Sequence, residues 1–333
     1  MPTTPRPRLV RGRETATDQV VAGAVFVIGG AEDKVGRREL LQRFVRLAGP
    51  TPRIALVPTA STLGDEVVEL YDALFRRLGA SDVVALRPQN RAEAQDRVLA
   101  KELDDADAVF MTGGNQLKLA SVCVGTAFGN GVADVHARGG VVGGTSAGAS
   151  IVSEHMVAFG SGGPTPRQRM SQLARGLGLL PEVVVDQHFR ERDRYGRLIS
   201  LIAQSPSLLG VGIDEDTAAI VIGNVLEVAG RGAITIVDAE RAITSAPTAK
   251  GSRPILVSGA VVHTLPAGAR FDLDTRALLD YAEPMPPAEL AEIAATETGM
   301  RRLARRIARE DAGPVRRGTS SRAPDDEAST DQS

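Results

Sequence analysis

Val25-Phe26-Val27-Ile28-Gly29-Gly30 is the stretch on which the fold turns. Four apolar residues in a row leave no polar face, so the run suits a strand covered on both sides, and the glycine pair marks a turn at its carboxyl end. Similar short runs occupy 24–28, 54–57, 82–86, 108–111 and 140–142. Amphipathic segments at 37–47, 65–78, 91–99 and 127–138 separate them and read as helices. Strands alternating with helices imply an α/β fold, a doubly wound and mostly parallel sheet with helices on both faces. Ligands gather at the carboxyl ends of strands in such folds. The segments at those ends are Gly29-Gly30-Ala31-Glu32-Asp33-Lys34, Pro58-Thr59-Ala60-Ser61, Thr112-Gly113-Gly114-Asn115-Gln116 and Gly143-Gly144-Thr145-Ser146-Ala147-Gly148.

After about residue 205 the pattern changes to short β runs at 210–214, 218–222, 225–229, 233–238, 255–258 and 261–264. These are expected to extend or cap the same sheet in antiparallel fashion over about 210–270. Pro284 and Pro287 break the chain before an expected C-terminal helix over 288–309, and 311–333 has the composition of a disordered tail. With 1–20 as a polar N-terminal tail, 21–310 is expected to form a single α/β catalytic domain.

Composition narrows the chemistry. The 333 residues include one cysteine, four histidines and no tryptophan, with 39 basic against 41 acidic side chains. One cysteine rules out an intramolecular disulfide framework and any multi-cysteine zinc site. Balanced charge and 3% aromatics argue against a nucleic-acid partner. The apolar stretch 20–30 is too short to span a bilayer, so no membrane span is expected, and without a secretory signal a cytoplasmic location is the simplest expectation.

Gly144-Thr145-Ser146-Ala147-Gly148 follows an apolar strand and precedes a short helix, the Gly-x-Ser-x-Gly arrangement of a nucleophile elbow. Glycines on both sides admit the tight turn that projects the serine hydroxyl over the sheet edge. The Ala147 amide and one from the Gly113-Gly114 turn are candidates for an oxyanion site. A serine nucleophile needs a base held in one tautomer by a third group. His136 lies on an amphipathic helix, His155 follows the elbow, and His263 lies in a late β run, whereas His188 closes the buried-strand signature Val183-Val184-Val185-Asp186-Gln187. The third group is sought at the strand end Ile213-Asp214-Glu215-Asp216, where Asp214 and Glu215 point to opposite sides and at most one meets the histidine. The alternative order of α/β-hydrolases would use His263 with Asp214 or Asp238. Directly after His188, Arg190-Glu191-Arg192-Asp193-Arg194-Tyr195-Gly196-Arg197 brings four guanidinium groups suited to carboxylates.

Together these stretches, from Ile28 to Ala218 and above all Asp186 to Leu198, resemble the cyanophycinases. The Gly-Thr-Ser-Ala-Gly turn also resembles that of the related peptidase E dipeptidases, which share the class I glutamine amidotransferase-like fold. The resemblance implies a serine-type exopeptidase that cuts multi-L-arginyl-poly-L-aspartate into β-Asp-Arg dipeptides. It further implies Ser146 as nucleophile, His188 as base and Glu215 as third member; from the turns themselves, the oxyanion is expected between the amides of Gly114 and Ala147. Gln116, Asp186, Gln187, Arg192, Arg194 and Arg197 match pocket positions. No cofactor or metal is expected, and a homodimer is. Two other readings are an aspartyl dipeptidase or other serine hydrolase, and a catalytically silent anion-binding protein of the same fold.

Overall fold

The computed structural model describes residues 22–283. The expected N-terminal tail, the helix over 288–309 and the tail over 311–333 lie outside the described residues. Five parallel strands form the centre: β1 (Val25–Ile28), β2 (Arg53–Val57), β3 (Asp82–Ala85), β4 (Ala108–Met111) and β5 (Val141–Thr145), side by side in the order β3-β2-β4-β5-β1. Next come the hairpin β6 (His155–Gly160) and β7 (Ser171–Arg175), and then β8 (Val183–Gln187), β9 (Leu209–Ile213), β10 (Thr217–Ile222), β11 (Val225–Gly230) and β12 (Ala233–Asp238). A two-residue pair, β13 (Ile243–Thr244) and β14 (Val257–Ser258), precedes β15 (Val261–Pro266), β16 (Ala269–Asp272) and β17 (Ala277–Tyr281). The helices are α1 (Glu39–Ala48), α2 (Asp65–Arg77), α3 (Arg91–Gln95), α4 (Arg97–Lys101), α5 (Gln116–Cys123), α6 (Ala127–Ala137), α7 (Ala147–Ser150) and α8 (Tyr195–Gln204).

The late strands divide between two sheets. β10 joins β1 antiparallel, and β11, β16 and β17 continue outward to make nine strands, as expected of an antiparallel extension. β9, β12 and β15 do not extend that sheet; with β8 they build a second one in the order β15-β12-β9-β8. Gly210 and Gly212 of β9 allow α8 and Phe189 to lie close, since a Cβ on either would press on Ile202 and Leu198 or on the Phe189 ring.

Strand alternation sorts the core into layers. Phe26, Ile28, Ile54, Leu56 and Phe110 face one way, against Leu41 and Phe44 of α1 and Tyr71 and Phe75 of α2. Phe44, Tyr71, Phe75 and Phe110 meet in ring contacts of 5.1–5.7 Å. Val25, Val27, Val57, Val109 and Met111 face the other way, sharing a core with α5, α6, α7 and the inner face of the second sheet. Burying each such side chain stabilises the fold by about 1.5–3 kcal/mol.

Local chemistry moves two helix boundaries. The Asp33 carboxylate accepts the amides of Val35, Gly36 and Arg38, holding a turn that delays α1 to Glu39. Asp96 is extended and caps Val98, which splits the helix read over 91–99 into α3 and α4.

Candidate active site

Ser146 leaves β5 at φ 53° and ψ −105°, a conformation that costs a non-glycine residue about 1–3 kcal/mol. Its turn closes because the neighbouring glycines admit backbone contact: a Cβ on Gly144 or Gly148 would collide with Met111, and one on Gly143 with Phe26. The Gly113-Gly114 turn after β4 abuts Ser146, so that a Cβ on Gly113 would lie 3.9 Å from Ser146 Oγ. Ala147 is fully buried at the start of α7.

His188 follows β8 at φ 47°. Its Nε2 lies 2.9 Å from Ser146 Oγ and its Nδ1 2.6 Å from Glu215 Oε1. Nδ1–H donates to the carboxylate, which leaves Nε2 to accept from the serine hydroxyl. Burial holds the imidazole below its ordinary pKa; the Glu215 hydrogen bond opposes the shift, and the Arg192 and Arg194 charges add to it. The ring rests on Gly30, at φ 111°, where any Cβ would collide with it.

Glu215 lies in the short segment that leaves β9 in one sheet and enters β10 in the other. Asp214 is 4% exposed and accepts the amides of Arg190 and Ala233 at 3.2 and 3.1 Å, so it closes the loop and faces away from the histidine. The alternative base is not brought to Ser146: His263 packs on Phe271 with ring centroids 4.9 Å apart, and Asp238 pairs with Arg276 at 2.7 Å. His136 is held in the last turn of α6, and His155 is exposed at the start of β6.

The arginines part company. Arg194 and Arg197, 7% and 2% exposed, both bind Asp186, which is fully buried. Arg194 also donates to the Gln187 side chain at 3.1 Å, and Arg197 to the Gly160 carbonyl at 3.1 Å. Burial lowers the Arg194 guanidinium to about 10. Arg192 is exposed near His188, and among the described residues its side chain has no ion pair. Gln116 begins α5 and donates to the Ala158 carbonyl of β6 at 3.0 Å. Asp186, Arg197 and Gln116 thus tie β8, α8, α5 and the β6–β7 hairpin into one wall beside the serine.

A second buried group lies at two of the strand ends singled out in the sequence, though nothing there marks the residues as partners. Glu32, 4% exposed, accepts from Thr145 Oγ1 at 2.6 Å and from the Tyr71 hydroxyl, and pairs with Lys34 Nζ at 2.8 Å. Burial and the adjacent carboxylate push the Tyr71 hydroxyl well above its ordinary pKa. Thr145 is 113 positions from Glu32, a partnership no local spacing reveals. Among the described residues no cluster of three or more His, Cys, Asp or Glu side chains is arranged to hold a metal, and no helix is long and apolar enough to cross a membrane. The lone cysteine, Cys123, is buried, and desolvation raises its thiol to about 12.

The model of peptidase family S51 matches residues 25–229. Cyanophycinase of Trichormus variabilis is 41% identical over 271 residues, covering 80% of this chain and 91% of that protein. Cyanophycinase of Geminocystis herdmanii is 38% identical over 261 residues, covering 77% and 96%. The crystal structure of a peptidase from an acI-B1 Actinobacterium shares the fold, with a TM-score of 0.56 at 22% identity over 76% of this chain and 98% of that one.

Proposed function

The chain belongs to peptidase family S51, and from that membership we infer a serine-type exopeptidase that hydrolyses cyanophycin, multi-L-arginyl-poly-L-aspartate, to β-Asp-Arg dipeptides. The observation that carries the chemistry is the hydrogen-bond chain from Ser146 Oγ through His188 to Glu215. The substrate reading is supported by relatives named cyanophycinase that align over nearly their full length.

His188 Nε2 takes the hydroxyl proton as Ser146 Oγ attacks the scissile carbonyl. The carbonyl oxygen gains negative charge between the amides of Gly114 and Ala147. His188 then passes its proton to the leaving amine, and an acyl group remains on Ser146. Water attacks that ester with His188 again as base, and Glu215 holds the ring's tautomer and stabilises its charged form. A lowered imidazole pKa keeps the ring neutral, and therefore basic, at neutral pH. No step in this sequence calls on a metal or cofactor. Arg192 meets a substrate carboxylate, while Gln116, Asp186, Gln187, Arg194 and Arg197 shape the pocket around it. The molecule is a homodimer in the cytoplasm, a reading that sedimentation and cell fractionation check.

Incubating the purified chain with the polymer and identifying products by mass tests the function. β-Asp-Arg from the wild type and none from Ser146→Ala is the expected result. Binding of polymer with no dipeptide released, or release only from free Asp-X dipeptides, overturns it.

A further inference from the structure

The segment Ile28-Gly29-Gly30-Ala31-Glu32, which begins with the last residue of β1, touches every loop that carries a triad member. Three consecutive carbonyls divide the work: Ile28 accepts the Ser146 amide at 3.0 Å, Gly29 the His188 amide at 2.7 Å, and Gly30 the amide of Asp216, next to Glu215, at 2.9 Å. Asp216 answers by accepting the Asp33 amide at 2.9 Å. Main-chain contacts set where the three loops sit. They leave free the side-chain rotamer of Thr145, the last residue of β5, which pairs with Ile28 and precedes the serine.

Glu32 closes that freedom. Its carboxylate lies beneath the turn, 1% exposed as a side chain, with Oε2 on Thr145 Oγ1 at 2.6 Å and Oε1 shared by the Tyr71 hydroxyl and Lys34. Tyr71 is anchored in the aromatic core by Phe75 and Phe110, so Glu32 has little room to move. Lys34 balances the buried charge and lies 5.6 Å over the Tyr71 ring. A hydroxyl at 145 is thereby fixed from core through carboxylate to the residue adjoining the strained Ser146.

We propose that Glu32 is a positioning residue of the hydrolytic reaction, acting through Thr145 to hold Ser146 in its strained conformation with Oγ aligned on His188. The proposal rests on Ser146 being the nucleophile but not on which polymer is cut. Glu32 touches neither substrate nor reacting atoms; its effect is on the fraction of serine presented for attack. A displacement on the order of 1 Å at a reacting atom can cost about a hundredfold in rate.

The test uses the full chain with Glu32→Gln, Thr145→Val, Thr145→Ser and the Glu32→Gln/Thr145→Val double variant. Two rates are read: kcat and KM on the polymer, and labelling of Ser146 by an aryl sulfonyl fluoride. In labelling, the Oγ–S bond forms as the S–F bond breaks, fluoride leaves, and the Oγ proton passes to His188. Thr145→Val and Glu32→Gln should each lower kcat and the labelling rate by about tenfold or more with KM nearly unchanged. Thr145→Ser, which keeps the hydroxyl, should return both to within about threefold of wild type, and the double variant should be no slower than the worse single one. Thr145→Val with wild-type rates, losses confined to KM, or multiplicative losses in the double variant overturn the proposal. A wild type that is labelled but leaves the polymer intact counts against the substrate reading alone.

Discussion

Ser146 stands in a backbone conformation that its own side chain disfavours. Glycine carries no such penalty, so Ser146→Gly should abolish turnover yet stabilise the fold by about 1 kcal/mol, read as a higher Tm. A Tm lowered by the same margin would show that the His188 hydrogen bond outweighs the strain. The two neighbouring carboxylates separate as sharply. Glu215→Gln should cut kcat strongly with little change in Tm, because its side chain is partly exposed and its partner is the His188 ring. Asp214→Asn should keep the chemistry and lose about 1–3 kcal/mol of stability, because both oxygens of this buried carboxylate accept main-chain amides. Retained activity in Glu215→Gln would reassign the acid. Strand-end position alone leads to Ser146 and His188 in the sequence, since turns after buried strands are few. Choosing between Asp214 and Glu215 needs the loop's hydrogen bonds, which no periodicity encodes.

At the scale of elements, the segment from β8 into α8 combines a buried scaffold with Arg192, an exposed cation that has no ion pair among the described residues. Asp186 accepts from two buried guanidinium groups, so Asp186→Asn leaves those charges under-compensated and should cost about 3–5 kcal/mol in urea unfolding. Arg192→Gln should leave Tm unchanged and raise KM. It should also move the acid limb of kcat/KM to higher pH: the Arg192 charge depresses the His188 pKa, and removing it lets that pKa rise, so more acid-side protonation must be undone before the base is free. An unchanged pH profile would remove Arg192 from the base's surroundings. In sequence all four arginines of this stretch look alike; burial of Arg194 and Arg197 comes from tertiary packing against β8 and the hairpin. Helix α5 follows the turn after β4 at once, its start fixed by Asn115, whose side chain accepts the Lys118 amide.

At the scale of the molecule, the hydrogen-bonded triad is assembled across two sheets: Ser146 on the nine-stranded sheet, His188 on the four-stranded one, and Glu215 on the crossing between them. The parallel centre was legible because strands buried on both faces must be apolar throughout. The division of the late strands was not, because a short apolar run carries no mark of its partner strand. A defect in the second sheet should therefore reach the chemistry. Gly212→Val would press on the Phe189 ring, one residue after His188, and should cost about 1–3 kcal/mol while lowering kcat. Wild-type kcat with a lowered Tm would show that the ring yields without moving the base. The carbonyls of Ile28, Gly29 and Gly30 hold all three loops together. Every amino acid has a main-chain carbonyl, so this spacing is a chassis: an exposed side chain such as Arg192 can be exchanged for a new specificity without moving the three loops, whereas Gly30, like Gly144 and Gly148 of the serine turn, has no room for a side chain.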